Sequence, residues 1–153
     1  MTQPSLFAKS PPGTGIDEVW VYTDGGARGN PGPAAIGAVV LDASTDPPKR
    51  LAVVSRCIGV ATNNVAEYEA VIAGLQAAAE LGARVVRVRA DSMLVVQQLK
   101  GTWKVKNPNL RELRERALRQ LDRFAEVDVE HVPREHNADA DALVNAALDA
   151  AGP

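Results

Sequence analysis

The chain has 153 residues, of which 46% are hydrophobic and 24% charged, with a formal net charge of −2. That length and balance predict one globular domain with a full core. No stretch approaches the roughly 20 apolar residues that a bilayer-spanning helix needs, and the net charge leaves any affinity for nucleic acid to local rather than overall charge. The single cysteine, Cys57, excludes an internal disulfide and a cysteine-rich zinc site, and its apolar surroundings predict a buried core thiol. With no basic-then-apolar signal pattern at the start, a cytoplasmic protein is expected.

Residues 1–16 carry Pro4, Pro11, Pro12, Gly13 and Gly15 with little apolar periodicity, and are expected to form a flexible tail. Val19, Trp20, Val21 and Tyr22 open a β-branched and aromatic run that predicts a first strand over 18–23. A loop rich in Gly and Pro follows through Pro33. Second and third strands are predicted over 35–41 and 51–60, separated by the turn Ser44-Thr45-Asp46-Pro47-Pro48. Short connections between these strands predict an antiparallel meander. The period then changes: Tyr68, Val71, Ile72, Leu75 and Ala79 recur at helical spacing, predicting a helix over 65–81 that stops at Gly82. Val alternating with Arg predicts a strand over 84–90, and a short helix follows over 92–99. A longer helix over 110–124 has Leu110, Leu113, Ala117, Leu118 and Leu121 as its core stripe. A fifth strand over 127–132, a loop over 133–137 and an Ala-rich helix over 138–150 complete the chain. The order βββαβααβα predicts an α/β fold: a mixed five-stranded sheet, its first three strands antiparallel, flanked by helices. The domain is expected to span 17–150, with 151–153 a tail or the start of a linker.

Five acids fall at element ends. Asp24 closes the first strand, where Asp-Gly is also an ordinary turn signal. Glu67 stands three residues after Asn64, the spacing of a capping box. Asp91 precedes a helix, and Asp139 and Asp141 open the last one, where acids suit the helix dipole. Periodicity does not choose between these last two. Each acid has a local explanation, but their joint placement does not. With strands one and four as neighbours, Asp24 and Asp91 meet at one sheet end, and helix starts docking there add Glu67 and Asp141. Carboxylates gathered without partners raise one another's pKa values, and divalent cations relieve the repulsion. Hard oxygen donors with no His or Cys cluster point to Mg²⁺ or Mn²⁺ rather than zinc.

Four blocks now resemble a known family. They are Thr23-Asp24-Gly25-Gly26 with Gly29-Asn30-Pro31-Gly32-Pro33; Thr62-Asn63-Asn64-Val65-Ala66-Glu67; Ala90-Asp91-Ser92; and Arg134-Glu135-His136-Asn137 with Ala140-Asp141-Ala142-Leu143. In this order, over roughly residues 18–150, they are similar to type-1 ribonuclease H. The resemblance implies an endonuclease that hydrolyses the RNA strand of an RNA–DNA hybrid, leaving 5′-phosphate and 3′-hydroxyl ends. Asp24, Glu67, Asp91 and Asp141 would hold two Mg²⁺ ions, with Mn²⁺ as a substitute, and Asp139 would be a bystander because Asp141 fits the family's Asp-x-Leu pattern with Asn137 four residues earlier. It further implies substrate contacts from Gly25, Gly26, Arg28, Asn63, Asn64 and Ser92, a grip by Asn30 and Thr62 on a phosphate of the DNA strand, and an auxiliary role for Arg134, His136 or Asn137. A monomer acting on hybrid, with double-stranded RNA as a second candidate substrate, is the expected form.

The chain departs from the best-known bacterial pattern. Val65 replaces an Arg, the segment 99–109 is too short for a basic, Trp-rich protrusion, and the His-bearing loop shrinks to Pro133-Arg134-Glu135-His136. The match is closer to a compact subgroup carrying Arg-Glu-x-Asn, in which the Arg takes over from the His. Lys100, Lys104, Lys106, Arg111, Arg114, Arg116, Arg119 and Arg123 form a basic run that is either a hybrid-binding compensation or a solvated helix face, and Trp103 is expected to pack. His131 is expected within the last strand. A P-loop is excluded, because no Gly-Lys-Ser/Thr closes the glycine loop. The competing readings are a non-catalytic nucleic-acid-binding module on the same fold and a related-fold DNA nuclease.

Overall fold

The computed structural model describes residues 16–152. The expected tail falls outside the described residues except for Ile16, which is buried in the main core.

Among the described residues nine elements follow in the predicted order: β1 (Glu18–Ala27), β2 (Gly32–Asp42), β3 (Lys49–Ala61), α1 (Asn63–Glu80), β4 (Val85–Ala90), α2 (Met93–Lys100), α3 (Pro108–Leu121), β5 (Glu126–His131) and α4 (Ala138–Ala151), with a short 3₁₀ turn (Arg134–His136) inside the expected loop before α4. The sheet order is β3-β2-β1-β4-β5. The first three strands pair antiparallel, and β1–β4 and β4–β5 pair parallel. The mixed five-stranded sheet expected from the sequence is therefore present.

One face of the sheet carries the main core, in which Val19, Val21, Val86 and Val88 meet Tyr68, Val71 and Leu75 of α1, Val95 and Leu99 of α2, and Leu110, Leu113 and Ala117 of α3. The opposite face is covered over β1, β2 and β3 by α4, through Ala35, Val144 and Leu148. Beyond α4 it is a charged surface: Arg87 pairs with Glu18, Glu126 and Asp128, while Arg89 pairs with Asp128 and stacks over Trp20. Gly37 allows α4 to sit so close: a Cβ there would come within 2.4 Å of the Ala140 carbonyl oxygen.

The strands run longer than alternation suggests. Gly25, Gly26 and Ala27 pair with Ile36, Ala35 and Ala34, so Asp24 lies inside β1 and only residues 28–31 separate it from β2. The cap of α1 is Thr62, whose Oγ1 accepts the Val65 N–H at 3.2 Å. No capping box forms between Asn64 and Glu67, because Glu67 turns to β1 instead.

Cys57 is exposed, not buried. It lies on edge strand β3 beside a register shift, where local pairing is disrupted, and its thiol donates to the Ala147 carbonyl of α4. Trp103 does not pack into the core: it is 48% exposed, in the short connection from α2 to α3. Around it the basic run is partly engaged, Arg116 with Glu69, Lys100 with Glu130, and Arg114 with the Gln98 carbonyl. His131 closes β5 as expected.

Candidate active site

Asp24 is buried, paired with Gly37 of β2 on one side. On the other side parallel β4 ends with Ala90 beside Thr23, so the chain leaves the sheet at Asp91, next to Asp24. α1 begins near the same place because Gly25 admits it. A Cβ at Gly25 would lie 2.2 Å from the Ala66 carbonyl oxygen, and the Gly25 N–H donates to Glu67 Oε1 at 3.2 Å. α4 brings Asp141 in its first turn from the opposite face of the sheet, fixed through Asn137. That side chain is buried and donates to the Thr23 carbonyl at 2.8 Å, while its backbone carbonyl accepts the Asp141 N–H.

Carboxylate oxygens of Asp24, Glu67 and Asp91 all lie within 4.8 Å of one another. Asp141 stands near enough to Asp24 to help raise its pKa. All four line a cleft of about 440 Å³, together with Gly25, Gly26, Ala27, Arg28, Asn63, Arg134, Val144, Asn145 and Leu148.

Burial, then the charge of Asp91, then the nearby Asp141 raise the Asp24 carboxyl to about 7. Burial, then Asp24 and Asp91, raise Glu67 to about 9, although the Gly25 N–H and Arg134 oppose the shift. Alone, the cluster therefore holds protons at neutral pH. A divalent cation would replace those protons, and a donor set made only of carboxylate oxygens suits a hard one. The residues present fit such an ion.

The other residues singled out from sequence fall in four places. Asn63 lines the cleft and locks its floor, its Oδ1 accepting the Ala27 N–H at 2.9 Å while its own N–H donates to Asn30 Oδ1 at 3.0 Å. Arg28 lines the cleft and pairs with Asp149 of α4 at 2.7 Å. Arg134 also lines it, its Nη2 3.6 Å from Asp141 Oδ1. Asn30, Thr62 and Asn64 line a separate recess between the starts of α1 and α3, with Val65, Asn107, Asn109 and Leu110. Ser92 caps α2, accepting the Val95 N–H. His136 is not brought to the acids. It lines a recess with Tyr22, Glu135 and Asp139, and Asp139 pairs with Arg50.

Among the residues that the sequence reading passes over are Asn107, Asn109, Asn145 and Asp149. Asn107 was findable as the cap just before Pro108 at the start of α3. Asn145 and Asp149 were findable as the residues one and two turns after Asp141 on a helix.

The family model described as "Reverse transcriptase-like" matches residues 22–147. The bifunctional protein of Mycobacterium tuberculosis is 50% identical over 134 residues, 88% of this chain and 36% of that protein. Its N-terminal RNase H domain superposes with a TM-score of 0.81 at 48% identity, covering 85% of this chain and 98% of that one. Ribonuclease HI of Halobacterium salinarum is 47% identical over 131 residues, 86% of this chain and 64% of that protein. The corresponding RNase H1 structure gives a TM-score of 0.83 over 98% of its chain. LC11-RNase H1, solved in complex with an RNA/DNA hybrid, gives 0.80 at 44% identity, covering 87% of this chain and 98% of that one. The chain thus spans about a third of the mycobacterial relative's length and about two thirds of the haloarchaeal one. With the element order, the carboxylate cleft and these similarities in agreement, the chain belongs to the type-1 ribonuclease H family.

Proposed function

We propose that the chain is an endonuclease that hydrolyses the RNA strand of RNA–DNA hybrids, leaving 5′-phosphate and 3′-hydroxyl ends. It would work as a cytoplasmic monomer with two Mg²⁺ ions, for which Mn²⁺ substitutes. The observation that carries this reading is the cleft itself, in which Asp24, Glu67 and Asp91 converge within 4.8 Å and Asp141 adjoins them. The hybrid-bound structure of LC11-RNase H1, 44% identical to this chain, supports the choice of substrate.

Divalent cations held by Asp24, Glu67, Asp91 and Asp141 would lower the pKa of an attacking water and offset charge on the scissile phosphate. The chain's own residues do the rest. Gly25, Gly26 and Ala27 give a floor with no bulky side chain, so a ribose edge can approach the backbone, and 2′-hydroxyls are what mark RNA there. Asn63 and Asn30 brace that floor against α1 through two hydrogen bonds. Arg28 and Arg134, the cations lining the cleft, face the phosphates on either side of the cut. The partner DNA strand lies over the recess of Asn30, Thr62, Asn107 and Asn109, where two helix N-termini and neutral amides suit a phosphate. Asn137 fixes where Asp141 enters the cleft.

A panel of labelled hybrid, double-stranded RNA and double-stranded DNA, each with Mg²⁺, Mn²⁺ or EDTA, tests the reading. Hybrid is expected to be cut in either metal and in neither case with EDTA. Cutting that favours the DNA duplex, or binding of hybrid without any cutting, would overturn it in favour of a DNA nuclease or a binding module.

A further inference from the structure

Asp141 differs from Asp24 and Glu67 in how it is held. Asp24 lies in a strand and is buried, and Glu67 accepts a backbone N–H. Asp141 projects from the first turn of α4, its side chain 33% exposed, where a carboxylate is free to swing toward solvent. Arg134 stands on one side, its Nη2 3.6 Å from Oδ1, but that side chain is itself 79% exposed. Left alone, this cation would draw the carboxylate toward the 3₁₀ turn and away from Asp24.

On the other side stands Asn145, one helical turn further along α4. Its Nδ2 donates to Asp141 Oδ2 at 3.5 Å, and its side chain lines the cleft. Asn145 has no part in packing. The face of α4 that meets the sheet is Ala140, Val144 and Leu148, whereas Asn145 is exposed. Among the described residues, its side chain makes this hydrogen bond and no other. An Asn in a helix interior has no propensity advantage, and the i to i+4 spacing is the one at which an amide reaches a carboxylate on the same helix face.

We propose that Asn145 is a positioning residue for Asp141. It holds Oδ2 from the helix side while Arg134 holds Oδ1 from the turn, so that the carboxylate faces Asp24 before any cation or substrate arrives. The role rests on the function proposed above and acts through Asp141, not on the substrate.

The test compares wild type with Asn145→Ala, Asn145→Leu and Asn145→Gln. Its first readout is Mn²⁺ binding by calorimetry without nucleic acid. Its second is kcat and KM on hybrid in Mg²⁺, and its third is the melting temperature in EDTA. Both Asn145→Ala and Asn145→Leu are expected to weaken Mn²⁺ binding about tenfold and lower kcat by a similar factor, the low end of what loss of a residue orienting a metal ligand costs. KM and the melting temperature in EDTA should stay near wild type, and Asn145→Gln should recover part of both losses. Unchanged Mn²⁺ binding in Asn145→Ala and Asn145→Leu would overturn the proposal, as would a loss confined to KM or to the melting temperature. The calorimetry separates two failures: if wild type does not cut hybrid, the functional reading falls, while the metal-binding comparison still decides the role of Asn145.

Discussion

Asp24→Asn separates what the fold needs from what the chemistry needs. Burial, Asp91 and Asp141 together lift the Asp24 carboxyl from its ordinary 3.8 to about 7. The folded protein therefore binds a proton that the unfolded chain releases, and stability is lost as pH climbs from 3.8 to about 7. At about 1.4 kcal/mol for each pH unit, the charged carboxylate costs the metal-free protein up to about 4 kcal/mol above that range. An Asn of the same size removes the charge but brings its own buried amide, which offsets roughly 1–3 kcal/mol. The variant should thus be more stable than wild type at pH 8 in EDTA by about 1–3 kcal/mol, or roughly 3–8 °C in melting temperature. Below pH 4 the advantage should vanish, because the wild-type carboxyl is then protonated in both states. Saturating Mn²⁺ should narrow or reverse the difference, since only wild type keeps the full donor set. Hybrid binding should survive while cleavage falls to background. Calorimetric melts at the two pH values, with and without Mn²⁺, read all of this. A variant equally destabilised at both pH values in EDTA would refute the electrostatic reasoning, and cleavage near the wild-type rate would refute the role of Asp24.

Three further predictions follow from the same geometry. Gly25→Ala puts a Cβ 2.2 Å from the Ala66 carbonyl oxygen, so α1 must retreat. We expect a loss of about 2–4 kcal/mol in chemical denaturation and cleavage lowered further than stability explains, because Glu67 moves with the helix. Cleavage should rise with pH from 6 to 9 at limiting metal, because cations must displace protons from groups raised to about 7 and about 9. An acid optimum would contradict this. Arg134→Ala should lower kcat at least tenfold, whereas His136→Ala should cost less than twofold, since only Arg134 lines the acid cleft. Equal losses in the two variants would show that the turn rearranges when substrate binds.

The order of the elements was legible because hydrophobic period carries it. Strand alternation at Val19 and Val21 and helical spacing at Tyr68, Val71 and Leu75 are core positions in the structure. The strand ends were not legible. Gly25 and Gly26 look like loop by propensity, yet they pair in β1, because the space a side chain would take is filled by α1 at Gly25. Tertiary contact also decided the helix cap: Glu67 gave up the local partner that spacing offered and took the Gly25 N–H. Cys57 and Trp103 were misread for a related reason. Apolar neighbours in sequence do not show that a strand lies at the sheet edge, or that a connection turns Val105 rather than Trp103 toward the core. Family blocks contained the four acids and, in Asn30, Asn63, Arg134 and Asn137, residues that brace them, but not Asn145. The Asn30–Asn63 and Asn145–Asp141 contacts depend on how loops and helices dock, and no single-chain spacing announces the first.

One measurement bears on the central claim most directly: cleavage of a hybrid labelled on its RNA strand in one reaction and on its DNA strand in another, with Mg²⁺ or with EDTA. Internal cuts in the RNA strand are expected in Mg²⁺, with fragments ending in 5′-phosphate and 3′-hydroxyl, an intact DNA strand, and no cutting in EDTA. Intact RNA in Mg²⁺, cutting that persists in EDTA, or cutting of the DNA strand would contradict that claim.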